Sequence, residues 1–164
     1  MRRVHLVGSS GHGKTTLAVE LIACWTAAGL RVGSIKHTGH IHELDTPGKD
    51  SWRQRQAGAH PATIIAGDRL ALHLPLQPDQ DPYAAIAVHY ADCALVLVEG
   101  DVATTAPKVE VWRAGLGAPP LASQRQDIAA IISDDHSEVT VPRWSRLDVP
   151  EIARRLQRLV GLAC

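Results

Sequence analysis

Eight residues near the start of the chain, Gly8-Ser9-Ser10-Gly11-His12-Gly13-Lys14-Thr15, have the spacing G-x-x-x-x-G-K-[ST]. That spacing suits a loop wrapped around a phosphate. Glycines take backbone angles that other residues resist, so successive N–H groups can turn inward around an anion. A helix starting near Lys14 adds the positive end of its dipole. Lys14 then reaches the β- and γ-phosphates, and the Thr15 hydroxyl binds Mg²⁺. Gly8, Ser10, Gly11, His12, Gly13, Lys14, Thr15 and Thr16 are read as nucleotide contacts. The competing reading is a Gly-rich turn that matches by accident. An apolar strand directly before and an amphipathic helix directly after argue against it.

A phosphate loop needs a carboxylate at the end of another buried strand, to hold the Mg²⁺ shell or a water. Cys93-Ala94-Leu95-Val96-Leu97-Val98 followed by Glu99-Gly100 supplies one, at the strand edge where ligands of open α/β sheets bind. Lys14 and Glu99 are the expected catalytic residues, acting by charge and position. Thr15 and Glu99 are the expected metal partners. A Glu here departs from the commoner Asp.

Lys36-His37-Thr38-Gly39-His40-Ile41-His42 is followed by Asp45 and by Gly48-Lys49-Asp50-Ser51. One reading is a switch-like loop with phosphate-facing cations and a further Mg²⁺-facing carboxylate, Asp45 or Asp50. A second is a transition-metal site at His37, His40 and His42, although H-x-x-H-x-H matches no closed zinc site. Solvated histidines are the third. For the base, N-K-x-D is absent. Ser133-Asp134-Asp135 follows a buried run, the right kind of position for a carboxylate that accepts from guanine. A capping or turn role fits the Asp pair equally well.

These residues need elements to hold them. Val4–Val7 reads as a short buried strand and Thr15–Ala28 as a helix with Leu17, Val19, Leu21, Ile22 and Trp25 on its apolar side, stopped at Gly29. Arg31–Lys36 is a strand and Asp50–Ala57 a short helix. Ala62–Ala66 and Arg69–Leu74 form a hairpin joined at Gly67-Asp68. Tyr83–Tyr90 is helical, Cys93–Val98 a central strand buried on both faces, and Lys108–Trp112 and Asp127–Ile132 two more strands. Asp148 caps a last helix with Pro150 in its first turn. The fold class is α/β: a P-loop NTPase-type, mostly parallel sheet with helices on both faces and a small antiparallel extension.

The 164 residues fit one domain, read as 1–164, and 45% are hydrophobic. The formal net charge is zero, so nothing argues for nucleic acid or an anionic membrane as partner. Arginines outnumber lysines, and they are scattered. Cys24, Cys93 and Cys164 form no C-x-x-C pair and suit unreactive thiols in a reducing compartment. No run reaches membrane-spanning length, and the N-terminus is a poor signal peptide. The expected location is the cytoplasm.

Taken in order, GSSGHGKTT, IKHTGH, DTPGKDSWRQRQAGA, ALVLVEG, PKVEVWR and AAIISD resemble the MobB family, GTP-binding adapters of molybdenum cofactor guanine dinucleotide biosynthesis. The resemblance runs from Val4 to about Asp134. The phosphate loop is generic; the PGKDS…AGA segment and its place between IKHT and LVEG are specific. The resemblance implies GTP and Mg²⁺ as cofactors, homodimerisation, weak GTP hydrolysis, and work beside a MobA-type guanylyltransferase that attaches GMP to molybdopterin. Molybdopterin and molybdoenzyme maturation proteins are further implied partners. It implies that Lys36, His37 and Lys49 line the triphosphate or cofactor side, and it favours Asp134 as the guanine contact. Family members usually continue LVEG with an aromatic and a lysine. Here Asp101-Val102-Ala103 follows, an acid where the family has a cation.

Two other functions compete. A P-loop small-molecule kinase would share size and fold, with Arg53 and Arg55 or Arg143 and Arg146 as lid arginines. Solvated faces account better for both pairs. A nucleotide-dependent scaffold without hydrolysis is the non-enzyme reading, motivated by Asp101.

Overall fold

The computed structural model describes residues 1–40 and 43–163. The chain groups into two compact units, Met1–Gly39 with Ala87–Cys164, and His40–Ile86.

The first unit is a six-stranded, wholly parallel sheet in the order β2-β5-β1-β6-β7-β8. Its strands are β1 (Arg3–Val7), β2 (Val32–Lys36), β5 (Leu95–Glu99), β6 (Lys108–Val111), β7 (Ile131–Ile132) and β8 (Arg143–Trp144). β1 sits between β5 and β6, and β5 between β2 and β1, so neither has a free edge, and both are buried on both faces. Their runs are apolar for that reason: every residue of Leu95–Glu99 is buried. Helices α1 (Lys14–Ala27) and α4 (Val149–Leu159) pack on one face. Val4, Leu6, Leu95, Leu97, Val109, Val111, Ala130 and Ile132 meet Leu17, Leu21, Trp25, Ile152 and Leu156 there. Val19, expected on the apolar side of α1, is 63% exposed and lies on its solvent side. The Asp148 side chain caps α4 by accepting from the Glu151 N–H at 3.0 Å, with Pro150 in the first turn.

On the opposite face the strands carry buried polar groups, and loops with 3₁₀ turns cover them. Glu110 accepts from the N–H groups of Leu121 and Ala122 at 2.7 and 2.8 Å, at the start of the 3₁₀ turn Leu121–Ser123. The Lys108 ammonium donates to the Val102 and Thr104 carbonyls and pairs with Asp127 at 2.7 Å. These contacts correct the expected strand Asp127–Ile132. Asp127 is turned toward Lys108 and Arg125, and the regular strand is confined to Ile131–Ile132. The last strand of the sheet is Arg143–Trp144.

The second unit contains α2 (Asp50–Gln56), the hairpin β3 (Ala62–Ala66) and β4 (Arg69–His73), and α3 (Pro82–Ile86). The hairpin is antiparallel, with Ile65 opposite Leu70 and Thr63 opposite Leu72, as the Gly67-Asp68 signal predicts. The helix expected over Tyr83–Tyr90 divides into α3 and a 3₁₀ turn, Ala87–Tyr90.

Candidate nucleotide and metal site

The loop between β1 and α1 has left-handed backbone at Gly11 (φ 82°) and Gly13 (φ 91°), conformations that side chains resist. Gly8 answers to a different demand: a methyl group there would collide with the Val111 carbonyl of β6. The Gly13 carbonyl accepts from Leu17 N at 3.0 Å as the helix begins. The N–H groups of the first helical turn therefore point out of the sheet's carboxyl edge, where an anion binds.

His12 is 2% exposed. Its Nδ1 accepts from the Arg113 backbone N–H at 2.9 Å, so the loop is tied sideways to the end of β6. Burial, then the charges of Lys14 and Arg113, hold the His12 imidazole below its ordinary pKa. The Arg113 guanidinium lies over Gly13, its Nη2 only 3.0 Å from where a methyl group would stand. Arg113 escaped the sequence reading; its one signal is that it directly follows an apolar strand.

Lys14 Nζ donates to the Ser9 carbonyl at 2.7 Å. Burial pushes the Lys14 ammonium below its usual pKa, and the Lys36 charge adds to this while Glu99 opposes it. Glu99 closes β5 and is 8% exposed. Its Oε1 accepts from Thr15 Oγ1 at 2.8 Å and from the Lys36 ammonium. The β2–β5 register sets Lys36 directly beside Glu99. Thr15 and Glu99, expected as metal partners, are thus together, and Lys36 joins them. His37 Nδ1 is 3.7 Å from Asp101 Oδ2, and Asp101 has φ 60°, a left-handed conformation for a non-glycine residue.

Oxygen donors suit Mg²⁺, which takes one or two protein groups and fills its shell with water and phosphate. The Thr15 hydroxyl and Glu99 carboxylate fit that demand. No group of three or more His, Cys, Asp or Glu side chains among the described residues is arranged to hold a metal. Of the histidine reading, His42 lies outside the described residues, as does Ile41 beside it. Cys164 does too; Cys24 and Cys93 are free thiols.

A cavity of about 470 Å³ opens beside the loop, lined by Thr16, Arg113, Asp134, Asp135 and Arg146 among others, within the usual range for a small-molecule site. Asp134 Oδ1 accepts from Ser145 Oγ at 2.6 Å and from Arg146 N at 2.9 Å. It shapes the turn after β8 as well as lining the cavity. Arg146 pairs with Glu20 of α1 at 2.7 Å.

Asp45, Lys49 and Asp50 belong to the second unit. Asp45 accepts from Thr46 N at 2.8 Å and Ser51 Oγ at 3.0 Å, with Arg55 at 3.5 Å and His73 at 3.7 Å. Lys49 is the N-cap position of α2, and Asp50 lies in its first turn, where an acid complements the helix dipole. Arg55 is also bound to Glu43 at 2.6 Å, which sets it apart from a free lid arginine.

Sheet order, loop and carboxylate define a P-loop NTPase-like α/β protein. A family model described as "MobB: Molybdopterin guanine dinucleotide synthesis protein B" matches residues 3–134. The molybdopterin-guanine dinucleotide biosynthesis adapter protein of Escherichia coli (strain K12) is 38% identical over 115 residues, 68% of this chain and 65% of the relative. The match thus spans just under two thirds of that protein's length. The adapter protein of the same name from Haemophilus influenzae is 32% identical over 149 residues, 90% of this chain and 83% of the relative. The crystal structure of a MobB protein homolog from Bacillus stearothermophilus superposes with a TM-score of 0.67 at 26% identity, over 98% of both chains. The chain belongs to the MobB family. No helix among the described residues is long and apolar enough to cross a membrane.

Proposed function

We propose that this protein is a GTP-binding adapter that assists the attachment of GMP to molybdopterin beside a MobA-type guanylyltransferase, with weak GTP hydrolysis at most. The observation that carries the nucleotide part is the 2.8 Å bond from Thr15 Oγ1 to Glu99 Oε1 across the mouth of the loop. It joins two oxygen ligands suited to Mg²⁺ at the N-terminus of α1. The pathway part rests on family membership.

In this reading the N–H groups of the loop and Lys14 bind the phosphates, Thr15 and Glu99 hold Mg²⁺, and the base enters the cavity by Thr16 and Asp134. Asp134 Oδ1 already serves two donors, so its other oxygen is the one free in role for guanine. Mg²⁺ would supply neutralising charge to the triphosphate. The side chains supply position and charge rather than strong general-base catalysis, which suits slow turnover. The kinase reading loses ground because Arg55 and Arg146 are both held in ion pairs.

A homodimer is part of the proposal. An isolated two-stranded hairpin is marginal in water, yet Ile65 and Leu70, paired side by side, are 77% and 66% exposed. A second copy would cover them.

Calorimetric titration with Mg²⁺ tests the nucleotide. GTP should bind more tightly than ATP, and Lys14→Ala should weaken triphosphate binding by about a hundredfold or more with the fold retained, because a charge-assisted phosphate contact is lost. Preference for ATP would overturn the guanine assignment. Unchanged affinity in Lys14→Ala would remove the loop from the proposal.

A further inference from the structure

The two lysines of the site are each held by a protein oxygen, and the two arrangements differ in kind. Lys14 sits on a carbonyl of its own loop. Lys36 sits on Glu99 Oε1, the same oxygen that receives the Thr15 hydroxyl. The contact is built into the backbone, since Lys36 and Glu99 are register partners on β2 and β5.

A divalent cation held by Thr15 and Glu99 would bring two more positive charges to that oxygen. Like charges a few ångström apart in a partly buried site repel strongly, so Glu99 cannot keep both at contact. Lys36 is the partner able to leave. Its side chain is 62% exposed against 11% for Glu99, and its four-carbon stem is flexible. It can swing through solvent without disturbing the core, whereas Glu99 is fixed at the end of a buried strand.

We propose that Lys36 and Mg²⁺ are alternative partners of Glu99, and that Lys36, once displaced, carries its charge to the terminal phosphate of a triphosphate. Lys36 thereby becomes the residue that separates triphosphate from diphosphate. A triphosphate brings enough negative charge to hold both the metal and the displaced ammonium. With a diphosphate, Lys36 returns to Glu99 and competes with the metal. This inference rests on the nucleotide reading above.

The test compares wild type, Lys36→Met and Lys36→Arg in full-length protein. Calorimetry gives the affinities for GDP and for a non-hydrolysable β,γ-methylene GTP at fixed Mg²⁺. Electron paramagnetic resonance gives the affinity of Mn²⁺ for the GDP complex. Lys36→Met should bind the triphosphate analogue about tenfold more weakly and GDP within about twofold of wild type. Its GDP complex should bind Mn²⁺ several-fold more tightly. Lys36→Arg should restore most of the triphosphate preference. Equal weakening toward both nucleotides would reduce Lys36 to a general source of positive potential and overturn the proposal. Unchanged Mn²⁺ affinity would show that lysine and metal do not compete, and would overturn it equally. Should Lys36→Met fold poorly, Lys36→Gln, which keeps a donor without the charge, is read by the same measurements. If wild type binds neither nucleotide, the nucleotide reading itself falls; if wild type binds both and the variants match it, only this inference falls.

Discussion

In the sheet-bearing unit, one set of strands makes both the core and the site; in the hairpin unit, almost nothing is buried. β5 carries Leu95–Val98 into the core and delivers Glu99 at its end. By contrast α2 has no buried residue, and of the hairpin strands only Ala62 is buried. Order in the second unit comes from a polar cluster. Glu43 accepts from Asp45 N, Trp52 Nε1 and Arg55 Nη2, and Asp45 gathers Ser51, Arg55 and His73. Apolar burial yields stability in proportion to area, while polar contacts of this kind yield direction but little net free energy. Apolar burial organises the first unit, and polar contacts organise the second.

The sharpest way to break that contrast is to truncate a leucine in each unit. Leu21→Ala, in a fully buried site on α1, should cost about 2–5 kcal/mol in chemical denaturation. Leu70→Ala, on the exposed hairpin, should change the unfolding of the monomer by less than about 0.5 kcal/mol. Similar costs at both positions would mean that the hairpin carries a core of its own.

A smaller effect concerns assembly. If the proposed homodimer forms through the hairpin, the paired variant Ile65→Lys with Leu70→Lys should shift sedimentation from dimer to monomer and leave the affinity for the proposed GTP ligand in place, because like charges would face each other across that interface. A dimer that survives both charges is formed elsewhere.

The smallest effect separates the units by pH. Burial holds His5 and His12 below 6.5. Above pH 6.5 both are neutral whether folded or unfolded, and their contribution is complete. As the pH falls below 6.5, the unfolded chain takes up protons that the folded chain refuses, and the sheet unit loses stability until the lowered folded values are passed. Glu43 is held below its ordinary value of 4.5, first by the Asp45 N–H and then by Arg55 and Trp52. For Asp45, burial pushes upward, but Ser51, Thr46, His73 and Arg55 outweigh it and leave the group below 3.8. The stability these acids confer is present above those ordinary values and fades only as the pH falls below them. Hydrogen exchange resolved by segment should therefore show the sheet weakening as the pH falls below 6.5 while protection in α2 holds. Simultaneous loss in both units would erase the distinction.

The same contrast governs what was legible beforehand. The phosphate loop, β1, α1 and Glu99 could be read because turn glycines, strand and helix lie consecutively in the chain, and each local preference agrees with the fold. The hairpin was legible for a similar reason: Gly67-Asp68 sits between two β-branched or leucine-rich runs. Contacts between distant residues were not. Lys36 and Glu99 were assigned to different jobs, one to phosphate and one to metal. Only the parallel pairing of β2 with β5 reveals that they share a bond. The strand expected at Asp127 failed because a buried lysine on β6 claims that carboxylate, and nothing local announces a buried lysine. Arg113 and the turn-forming bonds of Asp134 were hidden in the same way.

His12 occupies a position that the phosphate-loop pattern leaves open to any residue. The bond it accepts from the Arg113 N–H removes that freedom in this chain. A replacement must be compact, fit a closed space and present an acceptor toward β6, so Asn is the natural substitute and Leu or Lys are not. What the pattern writes as a wildcard is here a fixed letter, and its spelling is dictated by a backbone N–H just past the end of β6, 101 residues away along the chain.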